Sequence, residues 1–193
     1  TYGDMPMGDF THRQAAGCIL YWGHNPLNSG PDGETRFASR ANLHAARHVV
    51  VVDPRENELT KRADVWLRLR PGTDAALALA LQHVLIHEQL YDREFVEAHG
   101  FGFDAFRAEI AGFTPEWAYP ITTIEPATIR ETAREMARYR PATLVHPGRH
   151  ATWYGDDAQR GRAIALLNAL LGSWGREGGF YQPASMEVPA YPY

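Results

Sequence analysis

The residues best suited to chemistry lie in short turns that each follow an apolar run. The first turn, Gly23-His24-Asn25-Pro26, has a glycine that lets the backbone approach a ligand and an amide at Asn25, and Ser29 adds a hydroxyl. These groups suit a diphosphate or the polar edge of a ring. An ordinary Asn-Pro turn explains the same residues, and this loop alone does not decide between the two readings.

Two further turns each offer a carboxylate. Asp53 ends an apolar run, where an acidic side chain can accept hydrogen bonds from ribose hydroxyls, although an Asp-Pro turn is the plain alternative. Asp74 follows Arg70-Pro71-Gly72-Thr73 and opens a helix whose free amides favour anions. Its carboxylate can accept from the neighbouring ring N–H and amino group of guanine. It can also simply stabilise the helix start, by about 0.3–1 kcal/mol.

Strand patterns and helix patterns alternate along the chain and position these turns. Short apolar runs predict strands at 17–22, 48–52, 65–69 and 142–146. Helical patterns cover 34–47, 56–62, 74–89, 92–99, 126–139 and 156–171. This order predicts an α/β fold, a Rossmann-like and mainly parallel sheet with helices on both faces, whose turns at Gly23, Asp53 and Arg70 converge on one edge.

Several expectations concern single elements. In the helix at 34–47, Phe37, Ala41 and Ala45 form the apolar stripe, and Thr73 caps the long helix that begins at Asp74. Residues 100–125 are rich in aromatics and predict short helices that cover a surface as an insert. Residues 172–193 carry glycine and proline throughout and predict an irregular tail. The whole of 1–193 is expected to form one dinucleotide-binding region.

Composition narrows the classes of function. The chain has 193 residues and a net charge of −4, so it offers no basic face for nucleic acid. Its longest apolar run, 75–86, is shorter than the roughly 20 residues that a membrane span needs. Cys18 is the single cysteine, which excludes an internal disulfide and an all-cysteine cluster and suits a small buried hydrophobe. No metal site is predicted in this segment. Without an initiator methionine or a signal peptide, the sequence looks like part of a longer chain.

Together these turns resemble a known family. Trp22-Gly23-His24-Asn25-Pro26, Val52-Asp53-Pro54-Arg55 and Arg70-Pro71-Gly72-Thr73-Asp74, in this order, are similar to the guanine-dinucleotide-binding core of molybdopterin oxidoreductases of the dimethyl sulfoxide reductase superfamily. His146-Pro147-Gly148-Arg149-His150 and Trp153-Tyr154-Gly155-Asp156 look most like the thiosulfate and polysulfide reductase branch. The resemblance covers nearly the whole chain.

The resemblance implies a fragment of a catalytic subunit that carries molybdenum or tungsten on two molybdopterin guanine dinucleotides, one of them held here. The residues it assigns to the pterin and diphosphate are Trp22, Gly23, His24, Asn25, Pro26 and Ser29. Asp53, Pro54, Arg55 and Asn57 are assigned to the guanosine, and Gly72, Thr73 and Asp74 to the guanine edge. Gly148, Arg149 and His150 are expected nearer the metal, the last two as catalytic residues.

The resemblance also implies parts that this segment lacks. A 4Fe-4S cluster and the protein ligand of the metal belong upstream, and a further dinucleotide-binding domain belongs downstream, so the segment by itself is expected to be inactive. An iron–sulfur electron-transfer subunit and a membrane-anchor subunit are the implied partners, in the periplasm or at the membrane, in anaerobic respiration of a sulfur compound or oxyanion.

Arg149 and His150 have a physical reason to act on such a substrate. Arginine supplies a fixed positive charge with a planar set of donors, and histidine can pass a proton near neutral pH. Alternatively, Arg149 contacts only a cofactor phosphate or a neighbouring carboxylate.

Two rival functions remain open. A nicotinamide-dependent dehydrogenase would carry Gly-x-Gly-x-x-Gly after the first strand, whereas here only Gly23 precedes Asn25-Pro26. A cofactor-free structural homologue in a respiratory complex could lose the polar turn residues, but Asn25, Asp53 and Asp74 are all present.

Overall fold

The computed structural model describes residues 7–8, 16–29, 40–148, 151 and 157–181 of the chain. Its strands are β1 (Met7–Gly8), β2 (Cys18–Trp22), β3 (His48–Val52), β4 (Val65–Leu67), β5 (Thr143–Pro147) and β6 (Phe180–Tyr181). Strands β2 to β5 form a four-stranded parallel sheet in the order β4-β3-β2-β5, and β1 pairs with β6 in a separate antiparallel pair. The predicted parallel sheet is confirmed.

The helices lie between these strands along the chain. They are α1 (Pro26–Ser29), α2 (40–45), α3 (Asp74–His87), α4 (Arg93–His99), α5 (Phe103–Glu109), α6 (Pro115–Thr122), α7 (Pro126–Arg138) and α8 (Asp157–Leu170). Short 3-10 helices cover Thr60–Arg62 and Ile110–Gly112.

Strand β2 shows why both faces of the sheet need helices. Because side chains alternate along a strand, Cys18, Leu20 and Trp22 point into the core shared with α3, α6, α7 and α8. Ile19 and Tyr21 point to the opposite core, where Leu27 of α1 and Leu43 of α2 cover them. All five residues of β2 are fully buried, so this strand is the centre of the molecule.

The order of the strands fixes where a ligand would bind. The chain places β3 and β4 successively on one side of β2 and then returns to place β5 on the other side. The switch point of the sheet therefore lies between β2 and β5, and in open parallel sheets ligands bind at the carboxyl ends of the strands beside such a point.

Four expectations about elements need correction. The turn predicted at 22–29 contains one helical turn, α1. Ala41 and Ala45 are exposed on α2, while Asn42 and Leu43 are buried, so the predicted stripe of that helix is wrong; Phe37 lies outside the described residues. The helix predicted at 56–62 shrinks to the 3-10 turn Thr60–Arg62. The tail is not wholly irregular, since Phe180 is buried and β6 pairs with β1.

The aromatic-rich middle forms α5, α6 and the 3-10 helix between them, as expected. Phe103, Phe106, Phe113 and Trp117 pack partly buried against the core, whereas Phe101 is fully exposed. Among the described residues, no helix has the length and apolar character required to cross a bilayer.

Candidate functional site: a cleft at the carboxyl ends of the strands

A cleft of about 1000 Å³ opens at the carboxyl ends of β2, β3 and β4. The three predicted turns meet there, as the parallel sheet requires. Its walls are formed by Gly23, Asn25, Asn28, Val52, Asp53, Pro54, Arg55, Arg68, Leu69, Arg70, Pro71, Gly72, Asp74, Thr123 and Ala151.

The turns after β2 and β5 touch through their backbones. The Gly148 N–H donates to the Trp22 carbonyl at 2.6 Å, and the Gly23 N–H donates to the Val52 carbonyl at 2.8 Å. A Cβ at Gly148 would overlap the carbonyl of Gly23, and Gly23 itself has a φ of +55°. Glycine is required at Gly148 by the close approach and favoured at Gly23 by the left-handed backbone.

The turn after β3 is held by its own side chains. The Asp53 carboxylate accepts from the Arg55 N–H at 2.8 Å and from Asn57 Nδ2 at 3.1 Å. Asn57 Oδ1 accepts from the amides of Leu59 and Thr60 at 2.9 and 3.0 Å. Asp53 thus lines the cleft with a fixed orientation, whereas both polar groups of Asn57 are committed to the turn.

Asp74, like Asp53, is a buried carboxylate that lines the cleft. It is 8% exposed, begins α3, and accepts a hydrogen bond at Oδ1 from Trp22 Nε1 at 2.7 Å. The predicted side-chain cap of α3 by Thr73 is wrong, because Thr73 Oγ1 donates to the Arg70 carbonyl at 2.6 Å instead. Gly72, with a φ of +82° and open space around its Cα, lets the chain turn into the helix.

Three arginines line the same cleft. Within the part of the chain that the structure describes, the guanidinium groups of Arg55, Arg68 and Arg70 contact no carboxylate, and Arg68 lies 5.5 Å from the ring centroid of Trp66. By contrast, Arg134 pairs with Glu88 at 2.7 Å and Arg130 with Glu116 at 2.7 Å on the outer surface. Unpaired guanidinium groups in a concave site attract phosphate.

Two histidines stack where β2 and β5 end. The rings of His24 and His146 lie 4.3 Å apart at an angle of 20°. Burial lowers the pKa of His24 to about 4, and burial together with the neighbouring His24 lowers the pKa of His146 to about 3. Both rings are therefore neutral at pH 7, and the stack adds no positive charge to the site.

The predicted site residues divide into three groups. Gly23, Asn25, Asp53, Pro54, Arg55, Gly72 and Asp74 line the cleft. Trp22, His24, Pro26, Asn57, Thr73 and Gly148 lie beneath or beside it and are absent from its walls. Arg149, His150 and the side chain of Ser29 lie outside the described residues.

Sequence reasoning missed Arg68 as a member of the cleft, and it placed the turn at Arg70 there without assigning a role to the Arg70 side chain. Arg68 directly follows β4, and the end of that strand places Arg68 beside the turns after β2 and β3. An excess of arginine over lysine runs through the whole sequence, so the residue type carried no signal at these two positions.

The cleft combines cationic donors with a buried carboxylate acceptor, which suits a phosphorylated ligand that also carries hydrogen-bond donors. The model of the molybdopterin oxidoreductase family matches residues 8–187, nearly the whole chain. The chain belongs to the molybdopterin oxidoreductase family. Membership implies a molybdopterin cofactor with molybdenum or tungsten, and it confirms the resemblance to enzymes of the dimethyl sulfoxide reductase superfamily.

Two relatives and one solved structure illustrate this membership. Thiosulfate reductase molybdopterin-containing subunit PhsA of Salmonella typhimurium is 36% identical over 170 residues, which are 88% of this chain and 22% of that protein. Probable dimethyl sulfoxide reductase chain YnfF of Escherichia coli is 34% identical over 186 residues, covering 83% of this chain and 23% of that protein. The structure of acetylene hydratase from Pelobacter acetylenicus matches with a TM-score of 0.78 and 30% identity, over 89% of this chain and 23% of that one. The chain therefore spans less than a quarter of the length of these relatives.

Proposed function

We propose that this segment binds one molybdopterin guanine dinucleotide in the cleft at the carboxyl ends of its strands. The observation that carries the proposal is the meeting, in one cleft, of the buried Asp74 carboxylate and three arginines, Arg55, Arg68 and Arg70, that contact no carboxylate among the described residues. The Asp74 carboxylate can accept hydrogen bonds from a guanine edge, and the arginines can neutralise the charge of a diphosphate.

The residues present fit such a group. Gly23 and Gly72 line the cleft without side chains, so a ligand can approach the backbone closely there. Asp53 lies between these turns with its carboxylate held by Arg55 N–H and Asn57, ready to accept from ribose hydroxyls. The cofactor, when bound, supplies the metal at which oxidation or reduction occurs, while this chain contributes binding and orientation.

For the longer protein we propose an oxidoreductase catalytic subunit that acts on a sulfur compound of the thiosulfate or polysulfide type, or on an oxyanion. The name of one relative, a thiosulfate reductase subunit, supports the sulfur substrate. In this proposal a 4Fe-4S cluster lies upstream, an iron–sulfur subunit and a membrane anchor are the partners, the location is periplasmic or at the membrane, and Arg149 and His150 act on the substrate.

The decisive test is Asp74→Asn in the full-length protein. The amide leaves one acceptor and places a donor against a donor, which weakens guanine binding by about 1–3 kcal/mol. We expect molybdenum content, measured by mass spectrometry, and GMP released by acid hydrolysis to fall together. Asp104→Asn, which alters an exposed carboxylate on α5, should leave both unchanged. Normal molybdenum and GMP in Asp74→Asn would limit Asp74 to stabilising the helix start.

A cofactor-free structural homologue is the second candidate. The polar turn residues that such a protein would be free to lose are all present in the cleft, which favours the enzyme. Wild-type full-length protein that contains neither molybdenum nor GMP, when produced in cells that make the cofactor, would support the structural homologue.

A further inference from the structure

The side chain of Trp22 is hydrogen-bonded to the Asp74 carboxylate of the cleft. Its side chain is 0% exposed and lies in the core beneath the cleft, and its Nε1 donates to Asp74 Oδ1 at 2.7 Å. In the part of the chain that the structure describes, no other donor is hydrogen-bonded to the Asp74 carboxylate. One indole N–H therefore determines how this carboxylate is oriented.

The cleft also contains groups that could compete for the Asp74 carboxylate. Arg55, Arg68 and Arg70 line the same cleft and pair with no carboxylate among the described residues. A carboxylate that rotated freely would be drawn to one of these guanidinium groups and would no longer accept from a base. The indole N–H is a donor only and is fixed by packing, so it holds Oδ1 without neutralising the charge.

We propose that Trp22 is a positioning residue that keeps the Asp74 carboxylate turned to the base, and so gives the cleft its preference for a purine with two adjacent donors. The preferred base is then one with an amino group beside the ring N–H, and a purine lacking that amino group is disfavoured. This inference rests on the proposed binding of guanine at Asp74.

The test compares two nucleotides that differ only in this amino group. Full-length apoprotein, produced in cells that cannot make molybdopterin, is titrated with GDP and with inosine diphosphate by calorimetry. We expect wild-type protein to prefer GDP by roughly tenfold or more, since one hydrogen bond to a charged acceptor is lost with inosine. In Trp22→Phe the preference should fall to about twofold or less, because GDP loses both hydrogen bonds to Asp74 whereas inosine diphosphate loses only the one from its ring N–H.

The matched control removes a similar donor elsewhere. Trp66 Nε1 donates to the Asp53 carbonyl at 2.7 Å, so Trp66→Phe also loses an indole hydrogen bond beside the cleft. It should change the affinities for both nucleotides alike and keep their ratio. If Trp22→Phe does not fold, benzothienylalanine at this position keeps the shape of the ring and replaces the N–H by sulfur.

The outcomes separate the two proposals. If Asp74→Asn abolishes the preference for GDP while the Trp22 variants keep it, the positioning role of Trp22 is wrong and guanine recognition by Asp74 stands. If wild-type apoprotein binds GDP no better than inosine diphosphate, guanine recognition itself is wrong and the role of Trp22 is rejected with it.

Discussion

At the scale of single residues, the stacked pair His24 and His146 makes the protein sensitive to acid. The pKa of His24 is lowered to about 4 in the folded chain, whereas an exposed histidine titrates near pH 6.5. Below pH 6.5 the unfolded chain takes up a proton that the folded chain does not, so this contribution to stability is present above pH 6.5 and is lost as the pH falls towards 4. At pH 5 the loss is about 1–2 kcal/mol per histidine.

We therefore expect His24→Gln to reduce the acid sensitivity of the full-length protein. The fall in apparent Tm between pH 7 and pH 5, followed by circular dichroism, should be smaller in this variant than in wild type. His44→Gln, which changes an exposed residue of α2, should leave the fall unchanged. An identical fall in Tm for all three proteins would mean that burial does not lower the pKa of His24 in the folded chain.

The sequence predicted those residues of the cleft that lie in turns after strands. Asp53, Gly72 and Asp74 were found because each follows a strand, and the end of a strand is visible in the pattern of residues. The resemblance assigned Trp22 to the ligand itself, whereas its ring lies in the core beneath the cleft, which the sequence does not show. The hydrogen bond between Trp22 and Asp74 joins residues 52 positions apart and needs the folded chain.

At the scale of elements, the contact between the turns after β2 and β5 is the most demanding part of the cleft. Gly148→Ala places a methyl group against the Gly23 carbonyl, and because both partners are backbone, the two turns must separate. We expect a loss of about 2 kcal/mol or more of stability, seen as a lower Tm and faster limited proteolysis of the full-length protein.

A second alanine provides the comparison for this prediction. Gly112 ends the 3-10 helix at Ile110–Gly112, and a Cβ there meets no atom within 4 Å. Gly112→Ala should be nearly neutral in both measurements. Equal effects of the two substitutions would mean that the turns at Gly23 and Gly148 can move apart without a loss of stability.

The elements themselves were largely predictable, and the exceptions have physical causes. Buried strands such as His48–Val52 are apolar on both faces and bounded by turn residues, so their limits stand out. For α2, small alanines gave no sign of which face is covered, and the core selected Leu43 instead. In the turn at Asn57, the side-chain oxygen of Asn57 accepts from the amides of Leu59 and Thr60. These amides therefore do not require the backbone hydrogen bonds of a longer helix.

At the scale of the whole molecule, the arginines of the cleft differ from several surface arginines in their pairing with carboxylates. The chain carries a net charge of −4, yet Arg134 and Arg176 on the surface are paired with carboxylates, while the cleft arginines contact none in the described part of the chain. The cleft of this negatively charged protein thus holds three arginines against two carboxylates, Asp53 and Asp74, and binding of an anion to the arginines should weaken as salt screens the attraction.

We expect the affinity of full-length apoprotein for GDP to fall roughly threefold to tenfold as ionic strength rises from about 0.05 M to about 0.5 M. Arg70→Gln should weaken binding at low salt and flatten this dependence, whereas Arg130→Gln, which removes a paired surface arginine, should do neither. Calorimetric titration at several salt concentrations measures both effects. A salt dependence unchanged by Arg70→Gln would exclude its guanidinium from phosphate binding.

The position of β2 between β3 and β5 also determines the order in which the strands can pair while the chain is synthesised. Cys18 pairs with His48 on one side and with Thr143 on the other, so one edge of the central strand stays unpaired until most of the segment has been synthesised. The backbone contact between Trp22 and Gly148 forms only after that pairing. A nascent chain that ends before Ala151 thus lacks the part of the cleft wall that follows β5, and the proposed binding of a dinucleotide requires translation to have passed this point.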